Sequence, residues 1–198
     1  EILQDAGLPP GVVNFVSGAG ETGAAVLNHP VPAKIAFTGS TEVAHIINRT
    51  LANKDGPIVP FIAETGGVNA MIVDATALPE QVTDDAVGSV FRSAGQRCSA
   101  LRLLCVQEHV ADPIFRMVEG AARELVLGDP HDPATHVGPV IDQESKDRLN
   151  AWIDKHAKQV RYRWDQDHTL PAGLFVPPTV IELNSAADLR EEVFGPIL

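Results

Sequence analysis

The sequence predicts an α/β fold, and two features of its pattern carry that expectation. Short apolar runs alternate with amphipathic stretches of helical periodicity along most of the chain. One run, Lys34 to Phe37, passes through the turn Thr38-Gly39-Ser40-Thr41 straight into a helical stretch from Glu42 to Leu51. Strand, glycine-containing turn and helix in that order make one βα step of a parallel sheet. With 44% hydrophobic residues in 198, there is enough apolar material for a packed core, so the chain reads as globular.

Ile2 to Ala6 reads as the end of a helix, closed by Gly7 and the Pro9-Pro10 pair. Val12 to Val16 is a short strand candidate, and Glu21 to Asn28 a helix with Gly20 or Thr22 near its start, which makes the step that follows part of a βαβα repeat. Pro57 to Ile62 and Asn69 to Val73 read as strands on either side of a Glu64-Thr65-Gly66-Gly67 turn. The next helix, Pro79 to Arg92, gathers Val82, Ala86 and Val90 on one face. A polar, glycine-bearing segment, Ser93 to Cys98, leads into the strand Arg102 to Gln107, a helix Ala111 to Leu125 and a turn at Gly128-Asp129-Pro130. A last helix covers Gln143 to Ala157, and Gln159 to Gly173 is polar with one strand at most. Phe175 to Leu183 is extended. Its Pro177-Pro178 pair cannot donate to a ladder, which fits an edge strand or a connection. A domain change is placed at Glu64 to Gly67, where the double glycine permits an abrupt turn of the backbone, giving domains 1–66 and 67–198.

Composition removes several classes of function. With 26 acidic against 15 basic residues, and no Lys/Arg run to track phosphates, nucleic acid is not an expected partner. Cys98 and Cys105 form neither a disulfide framework nor a zinc spacing, so a reducing, cytoplasmic setting is expected. No apolar run approaches the roughly 20 residues of a spanning helix, and none resembles a signal peptide. The sequence opens at Glu1 rather than Met and stops in the apolar run Pro196-Ile197-Leu198, so both edges read as cuts and the chain as a fragment.

Three places can carry chemistry. After the strand ending at Phe37, the helix N-terminus at Gly39 and Ser40 offers free N–H groups and a positive dipole end to a phosphate. Taken alone it is more simply a βα turn with Ser40 or Thr41 as N-cap. Cys98 follows Gly95-Gln96-Arg97 in a polar turn where Arg97 could help hold a thiolate, a good nucleophile toward a carbonyl carbon. Cys105 lies in the apolar run Leu103-Leu104-Cys105-Val106 and reads as structural. Glu64, between an apolar strand and a Gly-Gly turn, is expected to be partly desolvated, with its pKa raised toward the range of a general base; the alternative is a solvated loop glutamate. The seven histidines show no metal-ligand spacing, and no metal site is assigned.

In sequence order, Pro-Pro-Gly-Val-Val-Asn from Pro9, Phe-Thr-Gly-Ser-Thr-Glu from Phe37, Glu-Thr-Gly-Gly from Glu64, Gly-Gln-Arg-Cys from Gly95 and Glu-Val-Phe-Gly-Pro from Glu192 resemble the aldehyde dehydrogenase superfamily. The stretches from Ala63 to Asp74 and from Ser93 to Arg102 look most like the glutamate semialdehyde (pyrroline-5-carboxylate) dehydrogenase modules of the bifunctional proline utilisation (PutA) family. The resemblance implies the later part of a Rossmann-type NAD domain, followed by most of an α/β catalytic domain truncated at its C-terminal end. It implies oxidation of L-glutamate γ-semialdehyde to L-glutamate in proline catabolism. Cys98 would attack the aldehyde, hydride would pass to the nicotinamide, and water activated by Glu64 would hydrolyse the thioester. Thr38, Gly39 and Ser40 would lie along the cofactor, Glu192 would hold the nicotinamide ribose, Phe194 would pack by the ring, and Arg97 and Ser99 would face the substrate. NAD is the implied cofactor, with NADP left open, and FAD is implied only if a proline dehydrogenase domain lies upstream. The partners implied are a small aldehyde and other copies of the chain, as a homo-oligomer.

Departures from the family pattern limit what can be carried over. Ala44 stands where the family has a second glycine, five residues after Gly39, a difference that allows slightly looser or shifted helix packing and is read as tolerable. The first Rossmann strands, an asparagine of the oxyanion hole and a lysine for the adenosine ribose would precede Glu1, and the loop that anchors the substrate would follow Leu198. The isolated chain is therefore expected to be inactive. A dehydrogenase for another aldehyde and a non-catalytic module of the same fold are the competing readings.

Overall fold

A computed structural model describes residues 2–166 and 168–198, leaving Glu1 and Asp167 aside. Helix and strand alternate along it as the sequence pattern requires. The chain divides between Gly66 and Gly67 into two units, residues 1–66 and 67–198.

In the first unit, α1 (Ile2–Asp5) and α2 (Gly20–Asn28) precede β1 (Ile35–Gly39), α3 (Thr41–Ala52) and β2 (Phe61–Thr65). Strands β1 and β2 are parallel, with Ile35 opposite Phe61 and Gly39 opposite Thr65, and α3 is their crossover. The expected strand from Pro57 begins four residues later. Pro57 and Pro60 have no N–H for the ladder, and Pro60 contributes only its carbonyl, which accepts from Ile35 N at 3.0 Å. Glu64 and Thr65 accordingly lie in the strand, not in a turn. Val12 to Val16 is not a strand: it pairs with no strand among the described residues, and Val12, Val13 and Phe15 are exposed. Helix α3 starts at the Ser40 cap, whose hydroxyl accepts from Val43 N at 3.2 Å. Ala44 is buried, and its amide donates to Ser40 O at 3.0 Å, so a methyl is accommodated there within the first turn. Lys54 Nζ donates to the carbonyls of Leu27 and His29, satisfying acceptors at the C-terminal end of α2.

The second unit holds a second βαβ step: β3 (Ala70–Val73) and β4 (Leu103–Val106) are parallel, and α4 (Pro79–Phe91) crosses between them. Val82, Ala86 and Val90 of α4 are all buried in one core with Ile114 and Val118 of α5 (Glu108–Arg123). Helix α5 begins three residues before the expected Ala111 and continues through Pro113. Helix α6 (Gln143–Lys155) is capped by Asp142, whose carboxylate accepts from Ser145 N at 2.7 Å. That backbone bond and the Ser145 side chain hold the Asp142 carboxyl below its usual range. Strand β5 (Val160–Arg163) pairs antiparallel with β6 (Thr179–Ile181). Of the two readings for Phe175 to Leu183, an edge strand or a connection, Phe175 to Pro178 is a connection, and the strand Thr179–Ile181 that follows is not an edge. Thr179 is fully buried and paired on both sides, with Arg163 on one and Ile197 on the other, and Pro177-Pro178 is buried ahead of the ladder, where no donor is needed. Among the described residues, no helix is long and apolar enough to cross a membrane.

Candidate active site

Helix α4 ends at Phe91, and the chain then turns with the wrong hand. Ser93 (φ 56°, ψ 28°), Ala94 (φ 50°, ψ 33°) and Gly95 (φ 65°) are consecutive left-handed residues. For L-residues this costs about 1–2 kcal/mol each, so the loop must be held by its surroundings. Gly95 is where the shape leaves no choice: a Cβ there would lie 2.0 Å from Gly195 O and 2.9 Å from Val90 O. Immediately after this run the chain presents Arg97, Cys98 and Ser99, all exposed, on a turn closed by Ala100 N donating to Arg97 O at 3.0 Å. No backbone acceptor among the described residues takes the Cys98 amide N–H.

Four side chains hold this thiol loop. Asn69, just past the Gly66-Gly67 pair, donates its amide to Cys98 O at 2.7 Å and Ala100 O at 2.9 Å. Ser89 Oγ accepts from Leu101 N at 2.9 Å. Gln96 accepts from Ile141 N at 2.8 Å and donates to Pro139 O at 3.3 Å, fixing the loop to the segment ahead of α6. Arg102, only 3% exposed, donates to Gly95 O at 2.6 Å and to Arg97 O at 3.2 Å.

The same guanidinium reaches the C-terminal motif. Arg102 donates to Gly195 O at 3.0 Å, lies 3.5 Å from a Glu192 carboxylate oxygen, and sits 5.3 Å from the centre of the Phe194 ring. Burial pushes the Arg102 pKa down, and the neighbouring Glu192 carboxylate opposes that shift. At 3.5 Å the two charges pair without a well-formed hydrogen bond. Arg102 Nε and Glu192 Oε1 are both buried with no hydrogen-bond partner among the described residues.

In the first unit the candidate residues meet at the C-terminal ends of the parallel strands, the usual place for a ligand in an α/β sheet. Thr38 is the register partner of Glu64, and Gly39 of Thr65. Thr38, Gly39, Ser40 and Glu64 are all exposed, so the desolvation expected for Glu64 is not met in this chain: a two-stranded sheet leaves the Glu64 side chain open to water. A Cβ on Gly39 would lie 2.5 Å from the tip of the Phe37 ring, which excludes any larger residue at that turn unless the ring moves.

The structure thus gathers the sequence candidates into two groups, Thr38, Gly39, Ser40 and Glu64 in one unit and Arg97, Cys98, Ser99, Glu192 and Phe194 in the other. The Arg97 side chain reaches the Gly88 carbonyl at 3.5 Å, toward the end of α4. Sequence reading missed Asn69, Ser89, Gln96 and Arg102 as supports of the thiol loop. A signal existed for Arg102, an arginine at the head of the apolar run Leu103 to Val106. A groove of about 360 Å³ lined by Cys105, Phe115, Arg161 and Ile181 contains neither Cys98 nor Glu192.

The chain is similar to known proteins along its whole length. The description "Aldehyde dehydrogenase family" matches residues 1–198. The bifunctional protein PutA of Klebsiella aerogenes is 48% identical over 208 residues, covering all of this chain and 16% of that protein. The 1-pyrroline-5-carboxylate dehydrogenase of Geobacillus sp. WCH70 is 36% identical over 205 residues, covering all of this chain and 40% of that protein. A crystal structure of a Bradyrhizobium japonicum proline utilization A variant superposes with a TM-score of 0.93 at 60% identity, over all of this chain and 20% of that one. A Thermus 1-pyrroline-5-carboxylate dehydrogenase with bound NAD superposes with a TM-score of 0.88 at 33% identity, over all of this chain and 39% of that one. The chain therefore spans between about a sixth and two fifths of the length of these relatives.

Proposed function

The chain belongs to the aldehyde dehydrogenase family, and from that membership we propose that it supplies the nucleophile and part of the cofactor seat of an enzyme oxidising L-glutamate γ-semialdehyde to L-glutamate. The substrate follows the relatives named as 1-pyrroline-5-carboxylate dehydrogenases and PutA. The observation that carries the reading is Cys98 itself, an exposed thiol on a strained loop that four side chains hold in place.

Cys98 Sγ attacks the aldehyde carbon, and the developing oxyanion takes the Cys98 amide N–H, which no backbone acceptor among the described residues engages. The resulting thiohemiacetal loses its hydride and becomes a thioester. Glu64 then takes a proton from the water that hydrolyses the thioester. Carboxylate product leaves, and the Cys98 thiol is restored.

The residues present suit a dinucleotide. A Cβ at Gly39 would crowd the Phe37 ring, the Ser40-capped N-terminus of α3 offers amides for a phosphate, and the partly exposed Glu192 carboxylate can accept from ribose hydroxyls. NAD, when bound, accepts the hydride leaving the aldehyde carbon. Thr38, Gly39 and Ser40 would hold its phosphates, Glu192 its nicotinamide ribose, and Phe194 would pack beside the ring. FAD enters only with a proline dehydrogenase domain elsewhere in a longer polypeptide.

The relatives' activity belongs to chains two and a half to six times longer, so the proposed activity is that of an assembled enzyme and the 198 residues alone are expected to turn over no aldehyde. The test grafts this chain into the Geobacillus sp. WCH70 1-pyrroline-5-carboxylate dehydrogenase, replacing the segment to which it is 36% identical over 205 residues. The graft should form NADH from glutamate semialdehyde, and Cys98→Ser in the graft should not. Turnover that survives Cys98→Ser removes the assignment.

A further inference from the structure

Arg102 is an expensive residue to bury. A guanidinium 3% exposed gives up most of its hydration, its Nε has no hydrogen-bond partner among the described residues, and its carboxylate neighbour stands at 3.5 Å. A buried ion pair of this kind adds little net stability over an apolar side chain of the same volume, so stability is a poor reason for an arginine here. The fork geometry is a better one. Planar and five-donor, a guanidinium spreads its N–H groups over two separate terminal nitrogens, and here Nη1 serves Gly195 O while Nη2 serves Gly95 O and Arg97 O; a lysine would have to serve all three from one nitrogen.

Its partners come from two places far apart in sequence. Gly95 O and Arg97 O belong to the thiol loop, while Gly195 O, the Glu192 carboxylate and the Phe194 ring belong to the C-terminal motif. The two segments also touch directly, since a Cβ on Gly95 would lie 2.0 Å from Gly195 O. We propose that Arg102 is a positioning residue that locks the nucleophile loop and the Glu192 to Gly195 segment into one geometry, so that movement of either moves both. The inference deepens the proposed function, whose reaction needs the thiol and the nicotinamide seat held in fixed register. It places no part of Arg102 on the reacting atoms.

The test follows backbone amide exchange in this chain, without substrate or cofactor, for Arg102→Met and Arg102→Lys. Residues 93–98 and 192–197 are compared with Val118 to Ala122 in α5 as an internal reference. Arg102→Met should speed exchange in both segments together, by about tenfold or more, because it leaves carbonyls and a carboxylate unpaired, while α5 changes little. Arg102→Lys should return one segment toward the original rate and leave the other fast, since a single ammonium nitrogen cannot occupy the positions of both Nη1 and Nη2. Acceleration confined to one segment in Arg102→Met, or equal acceleration in α5, overturns the proposal; the second result would make Arg102 a general support of the core. If Arg102→Met does not fold, full restoration of both segments by Arg102→Lys overturns it as well. Because no aldehyde or NAD is present, the result is independent of whether the proposed oxidation is correct. In the graft, Arg102→Lys should lower kcat and raise the KM for NAD+ while leaving the KM for aldehyde unchanged, a split that loss of folded protein cannot produce.

Discussion

Asn69 and Cys98 are joined by a 2.7 Å hydrogen bond from the Asn69 side-chain amide to the Cys98 carbonyl, and the same amide reaches Ala100 O at 2.9 Å. Asn69 O in turn accepts from Arg102 N and Leu103 N. One residue therefore ties the thiol turn to the start of β4. Asn69→Ala should lower the stability of the second unit by about 2 kcal/mol, two hydrogen bonds of roughly 1 kcal/mol each, as read from urea unfolding. Asn69→Asp should cost at least as much, because a carboxylate accepts only and would face two carbonyls. An aspartate variant as stable as the original would show that these bonds do not hold the turn.

Glycine positions separate strain from propensity. Gly95 is left-handed and blocked by Gly195 O at 2.0 Å, whereas Gly120 lies in α5, where an added methyl would meet no atom within 4 Å. Gly95→Ala should destabilise by several kcal/mol, since the Gly195 backbone must move. Gly120→Ala should stabilise by about 0.5–1 kcal/mol from helix propensity alone. Thermal melts of the two variants check the opposite signs.

The two thiols make a direct comparison. Cys98 is exposed on its loop, and Cys105 is half-buried in β4 beside the groove. Under native conditions iodoacetamide should label Cys98 first, with peptide mapping as the readout. Preferential labelling of Cys105 would contradict the assignment of Cys98 as the working thiol.

Acid should weaken the α6 cap in a defined direction. The Asp142 carboxyl is held below its usual range, so its contribution to stability is present above the unfolded-state pKa of about 3.9 and is lost as pH falls through the lower folded value. Asp142→Asn keeps a capping oxygen but has no proton to take up. Its urea midpoint should fall less steeply than that of the original chain as pH is lowered from roughly 6 to 3. Parallel pH profiles would remove Asp142 from the acid limb.

Helix and strand order is legible in the sequence because periodicity and capping residues are local: Ser40, Asp142 and the Val82, Ala86, Val90 face all behave as their positions dictate. Pairing is less legible. Val12 to Val16 has strand composition but no strand beside it among the described residues, and the Pro177-Pro178 run is buried because Thr179 pairs on both sides, facts set by distant segments. In the same way Cys98 and Glu64 stand out by chemistry, while Asn69, Gln96 and Arg102 look like ordinary polar residues until the carbonyls they serve are in place. The exposure of Glu64 departs from expectation because desolvation depends on what packs over a strand, not on the apolar residues along it.

If Cys98 carries the acyl group and Glu64 releases it, one measurement addresses both roles. In the graft bearing Glu64→Gln, a single turnover with glutamate semialdehyde and NAD+ is quenched in acid and the peptides are weighed. Hydride removal should proceed while hydrolysis slows by about 10²–10⁴-fold, leaving a glutamyl thioester on the peptide that contains Cys98. NADH formed without any acyl adduct on Cys98, or with the adduct on Cys105, would contradict the account.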